Sequence, residues 1–228
     1  MKGSSNAPAF LFDLDGTLVD SVYQHVLAWR EALQRSGIEL AVWRIHRRIG
    51  MSGGLLVNAL LRETGRPVTS EQAKQLPRFH ADAYARLVTQ VRPLPGATDL
   101  LASLTRNGVP WAIATSGESE SARQTLDVLG LGPEVPVTTR NEVQRAKPDP
   151  DLFLAAAERL GVDIQSSVVV GDSVWDLLAA QRARALGVGL LSGGYGQDEL
   201  EQAGSYRVYQ DPFDLLQHVD ELGVRVAA

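Results

Sequence analysis

Five short, almost unbroken apolar runs, interleaved with stretches of helical periodicity, restrict what this chain can fold into more than any other feature. They are Phe10 to Leu14, Val109 to Thr115, Val135 to Thr138, Val168 to Gly171 and Gly187 to Leu191. A strand wetted on one face alternates apolar and polar residues, whereas a strand covered on both faces reads as a continuous apolar run. Helical patterns fall at Ala97 to Arg106, Ser119 to Leu129, Pro150 to Leu160 and Val174 to Arg184, and Gly108, Gly130, Gly161 and Gly187 sit where helices are expected to end. Strand and helix thus alternate, which predicts an α/β fold: a doubly wound parallel sheet with a Rossmann-like core.

One stretch interrupts the alternation. Tyr23 to Ser36, Leu55 to Glu63 and Glu71 to Val88 all have helical patterning, with no strand between them. The rigid segment Arg92-Pro93-Leu94-Pro95-Gly96 closes the stretch. Residues 21–93 are therefore expected to be a helical insertion placed after the first strand, with residues 1–20 and 94–228 forming the core.

Composition narrows the chemistry. There is no cysteine, so disulfides, thiolate metal sites and cysteine nucleophiles are excluded. The net charge of -5 argues against non-specific binding to nucleic acid or to a membrane surface. No apolar run reaches the roughly 18 residues of a membrane span. The opening MKGSSNAPAF has no apolar core of signal-peptide length, so a cytoplasmic protein is expected. Of the 22 lysines and arginines only three are lysine: Lys2, Lys74 and Lys147.

Four constellations lie at expected strand ends. In Phe12-Asp13-Leu14-Asp15-Gly16-Thr17, residues two apart in an extended chain face the same way, so Asp13 and Asp15 are expected to converge while Leu14 turns into the core. Carboxylates buried unpaired cost several kcal/mol, so this pair calls for a cation or solvent. In Gly171-Asp172-Ser173-Val174-Trp175-Asp176, the second acid lies one helical turn after the first and can face the same point; it can equally be an acid favoured by the start of a helix. Lys147-Pro148-Asp149-Pro150 places a compact ammonium in a rigid turn, suited to reaching between anionic groups. Thr115-Ser116-Gly117 offers hydroxyls beside backbone N–H groups, a usable phosphate cradle. Ligands of open α/β sheets bind outside the carboxyl ends of the strands. Four acids, a lysine and a hydroxyl gathered there describe a divalent-metal site for phosphoryl transfer, with Mg²⁺ as the cation that prefers such hard oxygen donors.

These residues resemble the ordered motifs of the haloacid dehalogenase superfamily: Asp13-Leu14-Asp15-Gly16-Thr17, then Thr115, Lys147, and Gly171-Asp172 with Asp176. The helical insertion looks like that family's α-helical cap, and the subgroup resembled is that of phosphoglycolate phosphatase and β-phosphoglucomutase. The resemblance implies a Mg²⁺-dependent phosphatase acting on a small phosphorylated metabolite, with no nucleic-acid or membrane partner. It makes Asp13 the nucleophile that becomes an aspartyl phosphate and Asp15 the acid and then the base. It gives Mg²⁺ to Asp13, the Asp15 main-chain carbonyl and Asp172, with Asp176 in support. Thr115, Ser116 and Lys147 would hold phosphoryl oxygens.

Dehalogenase members carry a non-acidic residue where Asp15 stands, and phosphonate-cleaving members use a cap lysine, whereas Lys74 reads as part of a solvated face. The alternative is a mutase like β-phosphoglucomutase, which His25 and Trp29, one turn apart, resemble; Gly53 stands where that mutase has an arginine. A catalytically silent binding protein on the same fold is the alternative of another class. Specificity is expected from His25, Trp29, Gly50, Met51, Ser52 and Gly53, and hinges near Asp20 to Val22 and Val91 to Pro95. For His25, both a polar cleft lining and a hydrogen bond controlling Asp15 are open.

Overall fold

A computed structural model describes residues 8–51, 53–65 and 69–224. Six parallel strands form one sheet: β1 (Ala9–Phe12), β2 (Trp111–Ala114), β3 (Val137–Thr138), β4 (Ser167–Gly171), β5 (Leu186–Leu190) and β6 (Arg207–Tyr209), in the order β3-β2-β1-β4-β5-β6. The strand order reverses at β1, which pairs with β2 on one side and β4 on the other. This is the doubly wound, Rossmann-like arrangement, and it puts the end of β1 at the crevice where such sheets bind ligands.

Ten α-helices are seen among the described residues. Four lie in the insertion that follows β1: α1 (Val22–Arg35), α2 (Val42–His46), α3 (Gly53–Glu63) and α4 (Ser70–Leu87). They are followed by α5 (Ala97–Arg106), α6 (Ser119–Leu126), α7 (Asp151–Leu160), α8 (Val174–Ala183), α9 (Gln197–Gln202) and α10 (Pro212–Gln217). No helix is long and apolar enough to cross a membrane among the described residues.

The continuous apolar runs follow from burial on both sheet faces. Phe10, Phe12, Val168 and Val170 point into a core closed by Leu100, Leu101 and Leu104 of α5 and Leu215 of α10. Leu11, Val169, Ala112 and Ala114 point to the other face, against Leu152, Phe153 and Ala156 of α7 and Ala179 and Ala180 of α8. Alternate residues of one strand thus serve two cores. The helical insertion has its own cluster, in which Val26, Trp29 and Leu33 of α1 meet Ile45, Leu60 and Leu76.

The chain enters and leaves this insertion side by side. Asp20 N–H donates to Arg92 O at 2.9 Å and Leu94 N–H to Leu18 O at 2.9 Å, with Val19 bridging Pro93. The expected hinge segments are therefore paired with each other.

One expectation needs correction. Gly187 does not end α8; it lies inside β5, and the helix closes on Arg184, held in the left-handed region at φ 61°. Asp13 and Asp15 do converge on one cleft, with Leu14 between them buried in the core, even though the strand ends before them. β1 stops at Phe12, and the N–H groups of Thr17, Leu18 and Val19 all turn back to Leu14 O.

Candidate active site

Asp13 is the first residue past β1, and its N–H still pairs with Val170 O of β4 at 2.9 Å. That bond anchors the backbone while the carboxylate faces a cleft of about 910 Å³ between the sheet edge and the helical insertion. Lys147, wholly buried, ion-pairs with Asp13 Oδ1 and lies 2.8 Å from Asp176 Oδ1, its ammonium also 5.1 Å from the centre of the Phe153 ring. Asp176 has two tasks. Its Oδ2 accepts from Ser173 N–H at 3.1 Å and Ser173 Oγ at 2.5 Å, capping α8, while Oδ1 faces the lysine. One oxygen thus caps the helix while the other faces the site.

Asp172 accepts from Thr17 Oγ1 at 3.0 Å, so the hydroxyl of the first motif supports the acid of the last. Gly16 makes that approach possible. It sits at φ 82°, and a Cβ there would lie 2.5 Å from Asp172 Oδ2. Ser192 Oγ donates to Gly16 O at 2.6 Å, tying the same turn to the end of β5.

Asp13, Asp172 and Asp176 each bring a carboxylate oxygen to within 4.8 Å of the others. Three buried carboxylates share a single lysine, and the imbalance appears in the protonation of Asp13 and Asp172. Burial raises Asp13 to about 7, with Lys147 pulling it down and Asp176 and Asp15 pushing it up. Burial, with the charges of Asp176 and Asp13, holds Asp172 well above the usual carboxylate range. Burial opposes the charge on Lys147, but Asp13 and Asp176 outweigh it and raise the ammonium above its ordinary value. A hard divalent cation would supply the missing positive charge, and the donor set suits Mg²⁺.

Asp15 lines the same cleft with different partners. Its Oδ1 accepts from Ser21 Oγ at 2.6 Å and lies 3.1 Å from His25 Nε2. Burial alone would raise this carboxyl, but His25 and Ser21 outweigh it and bring it below the usual range. Its carboxylate is thus outside the three-acid group, and only its main-chain carbonyl is left for the metal role expected of it.

Thr115 is buried at the end of β2, its Oγ1 accepting from Gly117 N–H at 3.0 Å, and it lines the cleft with Ser116. Ser116 Oγ, expected to meet phosphate, donates instead to Gly50 O of the insertion at 3.0 Å. His25, Trp29, Gly50 and Met51 line the cleft, and Gly53 is the first residue of α3. Ser52 lies outside the described residues. Lys74, expected on a solvated face, is exposed and also borders the cleft.

Sequence reasoning passed over Ser21, His80 and Ser192. His80 Nε2 lies 3.1 Å from His25 Nδ1, and its ring stacks on Trp29 at 4.3 Å. The spacing of His80 from His25 in the chain carries no hint of this contact.

The haloacid dehalogenase-like hydrolase family matches residues 7–184, a span that holds every acid of the site and Lys147. This chain belongs to that family. Hexitol phosphatase A of Escherichia coli (strain K12) is 37% identical over 178 residues, 76% of this chain and 78% of the relative. A phosphoglycolate phosphatase of Caulobacter vibrioides is 30% identical over 213 residues, covering 92% and 90%. The crystal structure of a hydrolase from Pseudomonas syringae superposes with a TM-score of 0.91 at 55% identity, covering 94% of this chain and 98% of that one.

Proposed function

We propose that this member of the haloacid dehalogenase-like hydrolases is a Mg²⁺-dependent phosphatase of a small phosphorylated metabolite, working through an aspartyl phosphate on Asp13. The observation that carries the reading is the division of labour between two acids in one cleft. Asp13 is gathered with Lys147, Asp172 and Asp176, while Asp15 is held apart by Ser21 and His25.

Mg²⁺ held by Asp13, Asp172 and the Asp15 carbonyl, with Asp176 in support, would neutralise charge on the transferring phosphoryl group. Asp13 would form a bond to phosphorus as the ester P–O bond breaks, and the leaving oxygen would take a proton from Asp15. Asp15 has to gain that proton in the substrate complex, because His25 and Ser21 favour its ionised form in the free protein. Water would then attack phosphorus, giving its proton to Asp15 and freeing Asp13 and inorganic phosphate. Lys147 favours the ionised nucleophile against the burial that opposes it, and offsets the approach of a dianion to a chain of net charge -5. Residues 21–93 would act as a cap that excludes water, and His25, Trp29, Gly50, Met51, Ser52 and Gly53 remain the specificity candidates. The same reading has the enzyme act on cytoplasmic metabolites.

The test is hydrolysis of p-nitrophenyl phosphate with Mg²⁺, against EDTA and Asp13→Asn controls. Activity lost in both controls is the expected result. No turnover across a panel of phosphate monoesters would refute the reading in favour of a binding protein. The names of the relatives put hexitol phosphates and phosphoglycolate first in that panel. Glucose phosphates interconverted without release of inorganic phosphate would instead identify a mutase.

A further inference from the structure

We infer that His80 is a positioning residue for Asp15: by donating Nε2–H to His25 Nδ1, it holds His25 as the tautomer that donates Nε2–H to Asp15 Oδ1, and so leaves Asp15 Oδ2 as the oxygen that transfers the proton. The inference rests on the phosphatase reading only for what that proton transfer is for.

The geometry is a continuous line of contacts. Ser21 Oγ at 2.6 Å and His25 Nε2 at 3.1 Å both address the same oxygen, Oδ1 of Asp15. No described residue hydrogen-bonds Oδ2, and Asp15 lines the cleft. A carboxyl whose proton sits on Oδ2 still accepts at Oδ1, so neither donor has to change state when Asp15 gains or loses its proton. That arrangement requires His25 to carry hydrogen on Nε2. A neutral imidazole with Nε2–H has a bare Nδ1, which must accept a hydrogen bond, and the group facing it at 3.1 Å is His80 Nε2.

Packing restrains the rings that make these bonds. The His25 ring stacks on Tyr84 with centroids 3.9 Å apart and planes 5° from parallel. The His80 ring stacks on Trp29 at 4.3 Å and 20°. Tyr84 is in turn fastened to the core by a 2.8 Å bond between its hydroxyl and Thr125 Oγ1. Burial and the neighbouring His25 hold His80 well below the usual histidine range, which agrees with a neutral ring there. The line therefore runs from α4 through α1 to the turn after β1, and it is complete only while the insertion sits against the core. A donor fixed in advance costs no reorganisation when the proton moves.

Two measurements test this. The first is ¹⁵N NMR of the wild-type histidines in the metal-free protein, a readout independent of turnover. His25 protonated on Nε2 and bare on Nδ1 is expected; a proton on His25 Nδ1 overturns the inference. The second compares His80→Phe, which keeps a ring against Trp29 but has no N–H, with His80→Gln, whose amide can donate. His80→Phe is expected to lower kcat about tenfold with KM changed by less than about twofold, and His80→Gln to recover most of the loss. Equal kcat in all three proteins, or equal loss in both variants, overturns the role. If His80→Phe fails to fold, the wild-type NMR still decides. If wild type hydrolyses no ester at all, the phosphatase reading fails while the tautomer of His25 remains a separate result.

Discussion

Removing the negative charge of the nucleophile should make the metal-free protein more stable at neutral pH. Asp13 has a folded-state pKa of about 7 against 3.8 for the free group, because its site is buried and holds two other carboxylates. Between those values the folded chain keeps a proton on Asp13 that the unfolded chain has released. Stability linked to this group is then full below pH 3.8 and declines as pH rises toward 7. A rise of about three units at about 1.4 kcal/mol each gives a loss on the order of 4 kcal/mol, complete once the folded group has ionised. Asp13→Asn lacks the titration and keeps a similar shape. Urea denaturation of both proteins in EDTA, from about pH 4 to about pH 8, should show the variant gaining on the wild type by up to that amount as pH rises. Mg²⁺ should stabilise the wild type more than the variant at the alkaline end of that range, since it binds the folded state through that carboxylate. Parallel stability curves for the two proteins would refute the claim that burial and like charge, rather than the ion pair with Lys147, dominate at this site.

Lys147→Met should be the opposite case, since it leaves the three acids with no partner cation; a loss of about 3–5 kcal/mol in EDTA is expected by urea denaturation, partly restored by Mg²⁺. Gly16→Ala forces a Cβ to 2.5 Å from Asp172 Oδ2 at φ 82°, and kcat on p-nitrophenyl phosphate should fall on the order of 100-fold. Arg184→Gly relieves the left-handed residue that closes α8, and should raise stability against urea by about 0.5–1 kcal/mol with activity unchanged. Glu199→Gln breaks an ion pair with Arg47 that joins α2 to α9 at the surface, and stability should change by less than about 1 kcal/mol.

The parts of this molecule that were legible in the sequence share one property: their meaning is local. Strands covered on both faces advertise themselves as apolar runs, and acids at the ends of such runs stand out because an apolar strand gives them no other purpose. Asp13 and Asp172 could be nominated on those grounds, and Lys147 as a rare lysine in a turn bracketed by prolines. Short elements with no run to display were missed: β6 has three residues, Arg207–Tyr209, at the sheet edge, and α2 has five, Val42–His46.

Contacts across the cleft could not be read at all, because they depend on how two separately folding patterns meet. Ser116 is a plausible phosphate ligand by its place after β2, yet its hydroxyl goes to Gly50 O in the helical insertion. His46 is unremarkable in sequence, yet it is buried with its Nε2 2.8 Å from Gly193 O, beside the Asp172 site. His80, more than fifty residues from His25, becomes relevant only once α4 packs on α1. The core supplies the acids and the lysine, and the insertion supplies the groups that orient Asp15. Chemistry in the first set should survive substitutions in the insertion, at reduced rate, whereas loss of Asp13 or Lys147 should abolish it.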